Sequence, residues 1–175
     1  MKKLNIGSND VTLSGWTNID IQNCADICVD VRKGLPFGTS TVDFIFSEHF
    51  IEHLDFGEGT NLFKECLRVL KPGGVIRTAT VDLDYVIGKY HSDWRNQVWM
   101  SHPAYEFIKT SGMMLNVVFR SWGHLFVYNM EDLSLQLSGA GFRDVRRCQM
   151  GESSHLELSG LERRPDSKLI VEAVK

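Results

Sequence analysis

Leu4-Asn5-Ile6-Gly7, Thr17-Asn18-Ile19-Asp20 and Ile27-Cys28-Val29-Asp30 follow one another within the first 30 residues, and each is a short run that stops at a glycine or an acid. Short β-prone runs bounded by Gly, Asn, Asp or Pro read as strands. Working outward, the same pattern recurs, giving seven candidate strands at 3–6, 17–21, 26–31, 42–47, 74–80, 143–150 and 168–174. Between the fourth and fifth, residues 58–70 place Leu62, Phe63, Cys66, Leu67 and Leu70 at helical spacing, and Lys71-Pro72-Gly73-Gly74 ends that helix and turns the chain. A second helix is expected at 131–139, where Met130, Leu133 and Leu137 share a face, Leu135 lies off it and Gly139-Ala140-Gly141 closes it. Strand, helix and strand in this order argue for parallel pairing through right-handed crossovers.

The stretch 82–122 carries no strand pattern but holds Tyr85, Tyr90, Trp94, Trp99, Tyr105, Phe107, Phe119 and Trp122. It is expected to pack as two or three helices over one end of the sheet, between strands five and six. Its aromatic residues serve either stability alone or a substrate lid.

A chain of 175 residues with 43% hydrophobic and 23% charged residues has the material for a sizeable core and too little charge bias for disorder. No linker or repeat interrupts it, so one domain, 1–175, is expected. Nineteen basic against 22 acidic residues leave a net charge of −3, which disfavours a nucleic-acid or anionic-membrane surface as partner. Cys24, Cys28, Cys66 and Cys148 are scattered, as suits reduced thiols. With no apolar run long enough for a signal segment or a spanning helix, a cytoplasmic protein is expected.

In an open α/β sheet, ligands bind beyond the carboxyl ends of the strands near the switch point. Those ends are Gly7-Ser8-Asn9, Asp20, Asp30 and Ser47-Glu48-His49. A glycine after the first strand lets backbone approach a ligand closely. A carboxylate at Asp20 is suited to the two hydroxyls of a ribose, and one at Asp30 to an exocyclic amine.

These residues resemble class I S-adenosylmethionine-dependent methyltransferases, specifically the small bacterial type-11-like kind, often associated with sugar or surface-polysaccharide pathways. The resemblance runs through Leu4-Asn5-Ile6-Gly7-Ser8, Gly15-Trp16-Thr17-Asn18-Ile19-Asp20, Leu35-Pro36-Phe37, Val42-Asp43, His49-Phe50-Ile51-Glu52-His53-Leu54 and Arg68-Val69-Leu70-Lys71-Pro72-Gly73-Gly74. It continues in His124-Leu125-Phe126-Val127-Tyr128, Ala140-Gly141-Phe142 and Val171-Glu172-Ala173, leaving a gap at the aromatic insertion.

The resemblance implies a Rossmann-like α/β fold with a seven-stranded, mostly parallel sheet, an antiparallel last strand and a helical insertion between strands 5 and 6. It implies S-adenosylmethionine as cofactor, with Gly7, Ser8 and Asn9 beneath the methionine part and Asp20 at the ribose with Ile21 beside it. Asp30 and the Val31 backbone would meet the adenine, and Ser47 to His49 would line the methionine side. Two departures stand out. Asn9 replaces the second glycine of the loop, a residue that tolerates a left-handed backbone. Thirteen positions separate Gly7 from Asp20 against about twenty in the usual unit, so the first helix is very short or replaced by a loop.

Methyl transfer to an acceptor hydroxyl needs a proton acceptor, and a histidine suits that task near neutral pH. His49 and His124 are the catalytic candidates. His53, Arg120, Trp122 and Tyr128 are candidates for binding a small-molecule or carbohydrate acceptor, with oxygen expected ahead of nitrogen. His53 and Arg120 also have structural readings, as a residue satisfied by a neighbour and as a partner of a nearby carboxylate. A homo-oligomer is left open.

Other chemistries fit parts of the same letters. His49-Phe50-Ile51-Glu52-His53 spells HxxEH, the pattern of inverted zinc peptidases, but His91, His102, His124 and His155 sit in no spacing that nominates a third ligand, so no metal is expected. A nicotinamide enzyme would need the missing glycines and a Tyr/Lys pair. A non-catalytic binder of S-adenosylmethionine or its demethylated product is the alternative that Asn9 favours.

Overall fold

The computed structural model describes residues 1–22 and 25–175; Cys24 lies outside the described residues. The first half alternates strands with short connections: β1 (Lys3–Ile6), β2 (Thr17–Asp20), β3 (Ile27–Cys28) and β4 (Val42–Glu48). Then come α1 (Phe56–Val69), β5 (Leu70–Thr80), α2 (Leu83–Tyr90), α3 (Ser111–Asn116), α4 (Met130–Ala140), β6 (Arg143–Arg147) and β7 (Leu169–Val174). Among the described residues, seven strands form one sheet in the order β3-β2-β1-β4-β5-β7-β6. β1 to β5 pair in parallel, and β7 runs antiparallel to both β5 and β6. The chain therefore leaves β1 in one direction for β2 and β3 and returns to its other side for β4, which puts the switch point between β1 and β4.

The expected antiparallel last strand and the helical insertion are present. Residues 7–16 form turns and no helix, as the short Gly7-to-Asp20 interval requires. Asn5 and Asn18 take the place of a helix there: Asn5 Nδ2 donates to Asn18 Oδ1 and to the Val11 carbonyl, both at 3.0 Å, and Asn18 Nδ2 donates to Asp26 Oδ2 at 2.8 Å.

Three strand boundaries differ from the sequence expectation by three residues or more. The third strand shrinks to two residues because the Asp30 side chain caps a 3-10 turn at Val31–Lys33, accepting from the Arg32 N–H. The fifth begins at Leu70, not 74: Leu70 pairs with Val42 and Val75 with Phe44, so residues 71–74 bulge out of the ladder instead of closing the helix. Gly73 takes φ +78° within that bulge. The sixth strand ends at Arg147, beyond which the Gln149 and Glu152 carbonyls accept from the Arg77 guanidinium.

α1 begins at a capping box, Asp55 accepting from the Glu58 N–H while the Glu58 side chain accepts from the Asp55 N–H. α4 ends at Gly141 in the left-handed region, φ +108°. Both helices lie on one sheet face, where Leu62, Phe63, Cys66 and Val69 meet Leu4, Ile6, Ile19, Ile45, Leu133 and Leu137. Leu135 is 64% exposed, as its off-face position predicts. Leu13, Trp16 and Leu158 cover Phe46 and Val75 on the other face. The insertion builds its own cluster from Val81, Val86, Ile108, Met114, Val117 and Val118.

Beneath β5, Arg77 is fully buried. Its guanidinium pairs with Glu162 at 2.5 Å and Glu172 at 2.7 Å and donates to the carbonyls of Gln149 and Glu152. These bonds fasten the β6–β7 connection to the sheet.

Candidate active site

The carboxyl ends of β1, β2 and β4 open onto a crevice of about 680 Å³ whose walls include Gly7, Asn9, Asp20, His49, His53 and His124. A smaller compartment of about 160 Å³ adjoins it, lined by Ile19, Ile21, Val29, Asp30, Val31 and Leu54 among others. Gly7, Asp20, Phe50 and His53 border both.

Asp20 thus stands at the junction. Its Oδ2 accepts the Asn9 N–H at 2.8 Å and its Oδ1 the Gln22 N–H at 3.0 Å. Each carboxylate oxygen carries two lone pairs, so each retains one for a ligand hydroxyl. Asn9 holds φ +43°, and the loop turns without a second glycine. Gly7 has φ +70°, and a β-carbon there would come within 2.2 Å of the Phe50 ring. Phe50, more than a ligand, makes glycine necessary at this position.

Ser8 and Ser47 are buried and line neither compartment; the Ser47 hydroxyl lies 3.4 Å from that of Thr78. Asp30 reaches the small compartment already paired: Arg32 holds it through two bonds at 2.8 and 2.9 Å and keeps its carboxyl below the usual carboxylate range.

His49 follows β4 directly with φ +49°, a conformation that non-glycine residues occupy at a cost and that gathers at functional sites. Its N–H is held by the Ala79 carbonyl at 2.9 Å. Its Nδ1 lies 3.1 Å from Glu52 Oε1, near enough for an ion pair although out of line for a strict hydrogen bond. Glu52 is fully buried. Burial pushes its carboxyl up, and the adjacent His49 ring more than offsets this, holding it below its ordinary value. His53 and His124 stack edge to face with ring centres 5.1 Å apart, and His53 Nδ1 lies 3.2 Å from the Gly123 carbonyl. Burial pushes His124 below its ordinary value against the pull of Glu52, which favours the neutral ring.

The insertion supplies an aromatic wall. Trp99, Tyr105 and Trp122 pack edge to face at 4.9 to 5.9 Å, and Trp122 Nε1 donates to the Tyr105 hydroxyl at 2.9 Å. All three line the crevice, so these residues build a core and present a surface at once. The crevice is also lined by Arg163, Arg164, Asp166 and Lys168. Glu48 pins this loop, accepting the N–H groups of Arg163 and Arg164 at 2.9 to 3.1 Å and the Ser167 hydroxyl at 2.7 Å. Burial raises the Asp166 carboxyl.

A methyltransferase domain family model matches residues 11–78, from the loop after β1 into β5. Malonyl-acyl-carrier-protein O-methyltransferase 1 of Coxiella burnetii is 34% identical over 88 residues, which are 49% of this chain and 29% of that protein, so the match spans under a third of the relative's length. Solved SAM-dependent methyltransferases share the whole architecture. The Methanosarcina mazei structure aligns with a TM-score of 0.62 over 99% of this chain and 92% of its own at 16% identity. That from Archaeoglobus fulgidus aligns at 0.60 over 99% and 86%, also at 16% identity. The chain has the class I methyltransferase fold.

Within this methyltransferase fold, two sequence-predicted substrate residues stand away from the crevice. Tyr128 is fully buried; its hydroxyl donates to Gln136 Oε1 at 3.2 Å, and its ring packs where α1 and α4 meet. Arg120 is exposed and lines neither compartment. Trp122 and His53 are at the crevice wall. The HxxEH geometry of a zinc peptidase is absent, because residues 51–53 form a 3-10 turn and His49 lies outside it, so His49 and His53 share no helix face. Sequence reading missed Asp82, Asp166 and Lys168 at the crevice, and although it put Glu48 at a strand end beside the methionine side, it gave no sign that Glu48 holds the loop at 163–167, more than a hundred residues away.

Proposed function

We propose that this chain, as one domain, binds S-adenosylmethionine and transfers its methyl group to a small-molecule or carbohydrate acceptor, oxygen ahead of nitrogen. The observation that carries this reading is the pair of joined compartments with the Asp20 carboxylate at their junction. The residues present fit the cofactor. The small compartment has apolar walls at Ile19, Ile21, Val29, Val31 and Leu54 suited to a purine. Asp20 keeps an acceptor site on each oxygen for the ribose hydroxyls, and Gly7, Asn9 and His49 line the side where the methionine part would lie. Asp30 would act through Arg32 at the purine edge, and Val31 through its backbone.

S-adenosylmethionine supplies a methyl group on a positive sulfur that is already activated for in-line displacement. The protein's task is then to hold the acceptor in a near-attack arrangement. Trp99, Tyr105 and Trp122 offer flat apolar surface for that purpose. His49 is the proton acceptor in this reading: Glu52 faces its Nδ1, and its Nε2, for which no partner is found among the described residues, is the atom left to take a hydroxyl proton. His124 is the second candidate base, and its low proton affinity fits a neutral ring at the crevice floor.

Calorimetry with S-adenosylhomocysteine, followed by transfer of labelled methyl from S-adenosylmethionine to sugar and hydroxy-acid panels, tests the proposal. Saturable one-to-one binding and labelled product are expected. Absence of binding by the folded chain at millimolar ligand would overturn it.

A further inference from the structure

The floor of the crevice gathers buried polar atoms that no hydrogen bond satisfies among the described residues: both carboxylate oxygens of Glu52, Nδ1 of His124 and Nε2 of His49. A carboxylate removed from water without aligned donors is costly, and His49 Nδ1, 3.1 Å from one Glu52 oxygen, meets it off line. One ligand atom each from Glu52, His53 and His124 lie within 4.8 Å of one another. Ligand atoms around a tetrahedral zinc, with bonds of about 2.0–2.1 Å, stand roughly 3.3 Å apart, so the three need draw in by no more than about 1.5 Å.

The outer contact of His53 has the form that ligand histidines take, with one ring nitrogen tied to a backbone carbonyl and the other left with its lone pair. His53 Nδ1 lies 3.2 Å from the Gly123 carbonyl, which leaves Nε2. The Nδ1 of His124 is buried and has no hydrogen-bond partner among the described residues. Trp122 packs against the His124 ring at 5.5 Å and restrains it.

We propose that Glu52, His53 and His124 form a site for one borderline divalent cation of the zinc class, with an open position facing the crevice. Two imidazoles and one carboxylate suit zinc or cobalt and supply too few oxygens for calcium or magnesium. Because His53 and His124 line the crevice while Glu52 lies behind them, the position left free is directed at the space where an acceptor oxygen would sit. The arrangement differs from the zinc peptidase pattern in the same letters: Glu52 is a ligand and not a base, and His49 contacts Glu52 instead of the cation. It also departs from the metal-free expectation drawn from spacing, since His124 is brought in by the fold. The metal site rests on the side-chain cluster alone, and only the direction of its open position toward an acceptor rests on the proposed methyl transfer.

Cobalt(II) titration of the full, untagged, chelator-treated chain tests it, because cobalt in such a site shows visible ligand-field bands. One equivalent is expected to bind, to be displaced by zinc, and to bind more weakly in His53→Asn and in His124→Asn by more than the roughly 10–100-fold that losing an outer-shell partner costs. His53→Asn is the informative variant if the buried substitution fails to fold. No bands up to about a millimolar cobalt, which caps any affinity near −4 kcal/mol, or unchanged affinity in folded His53→Asn, overturns the proposal.

Discussion

Replacing Asp20 by alanine isolates the residue on which the cofactor reading turns. In the free protein each carboxylate oxygen spends one lone pair on a backbone N–H, from Asn9 and from Gln22, and keeps one. Two ribose hydroxyls would fill those sites. Hydrogen bonds to a charged group contribute about 1.5–3 kcal/mol each, and the lower figure applies because the junction is open to water on the crevice side. The loss is therefore about 3 kcal/mol, or on the order of a hundredfold in Kd. Asp20→Asn retains an acceptor oxygen without the charge and should lose about tenfold. The assay is calorimetric titration with S-adenosylhomocysteine, with a urea midpoint measured alongside to show that the loop around Asn9 still folds. Asp20→Ala binding within about threefold of the parent chain, roughly 0.6 kcal/mol, while folded, would refute the reasoning and with it the junction as a ribose site.

Other perturbations separate architecture from site. Tyr128→Phe strands the buried Gln136 carbonyl oxygen and should destabilise by about 1–3 kcal/mol, seen as a lower urea midpoint at constant slope, with S-adenosylhomocysteine affinity unchanged; a loss of affinity would restore Tyr128 to the site. Arg77→Met leaves Glu162 and Glu172 buried without their cation and should cost about 3–5 kcal/mol in equilibrium unfolding, a cost below 1 kcal/mol arguing against the buried network as the fastening of the β6–β7 connection. The Arg68 guanidinium, with the Leu35 N–H, holds the Glu65 carboxyl down to about 2, from an ordinary 4.5. Its contribution is thus fully present above pH 4.5 and lost as pH falls toward 2. Solvent screening of this partly exposed pair limits it to about 1 kcal/mol. Glu65→Gln should flatten that part of the Tm-against-pH curve, and an unchanged acid slope would contradict the pairing.

Much of the fold was legible because it rests on local rules. Leu4 and Ile6 alternate with Asn5 along β1, Asp55 and Glu58 cap α1 reciprocally, and Gly141 takes the left-handed turn that ends α4. Each needs a few neighbouring residues, so it can be read from spacing. The boundaries that slipped were places where a side chain or a distant strand outbid the local pattern: Asp30 capping its own turn, and Val42 recruiting Leu70 into β5 ahead of Pro72.

At the site, the chain order placed Gly7, Asn9, Asp20 and His49 at successive strand ends, and the sheet brings them together because parallel strands bring their carboxyl ends to one edge. The sequence by itself determined the strand-and-helix alternation, the turn at Asn9 and the acid at the end of β2. Only tertiary structure decided that Tyr128 faces the core, that Glu48 holds a loop from beyond β6, and that Glu52, His53 and His124 meet, since those contacts join residues whose separation along the chain carries no periodicity to read.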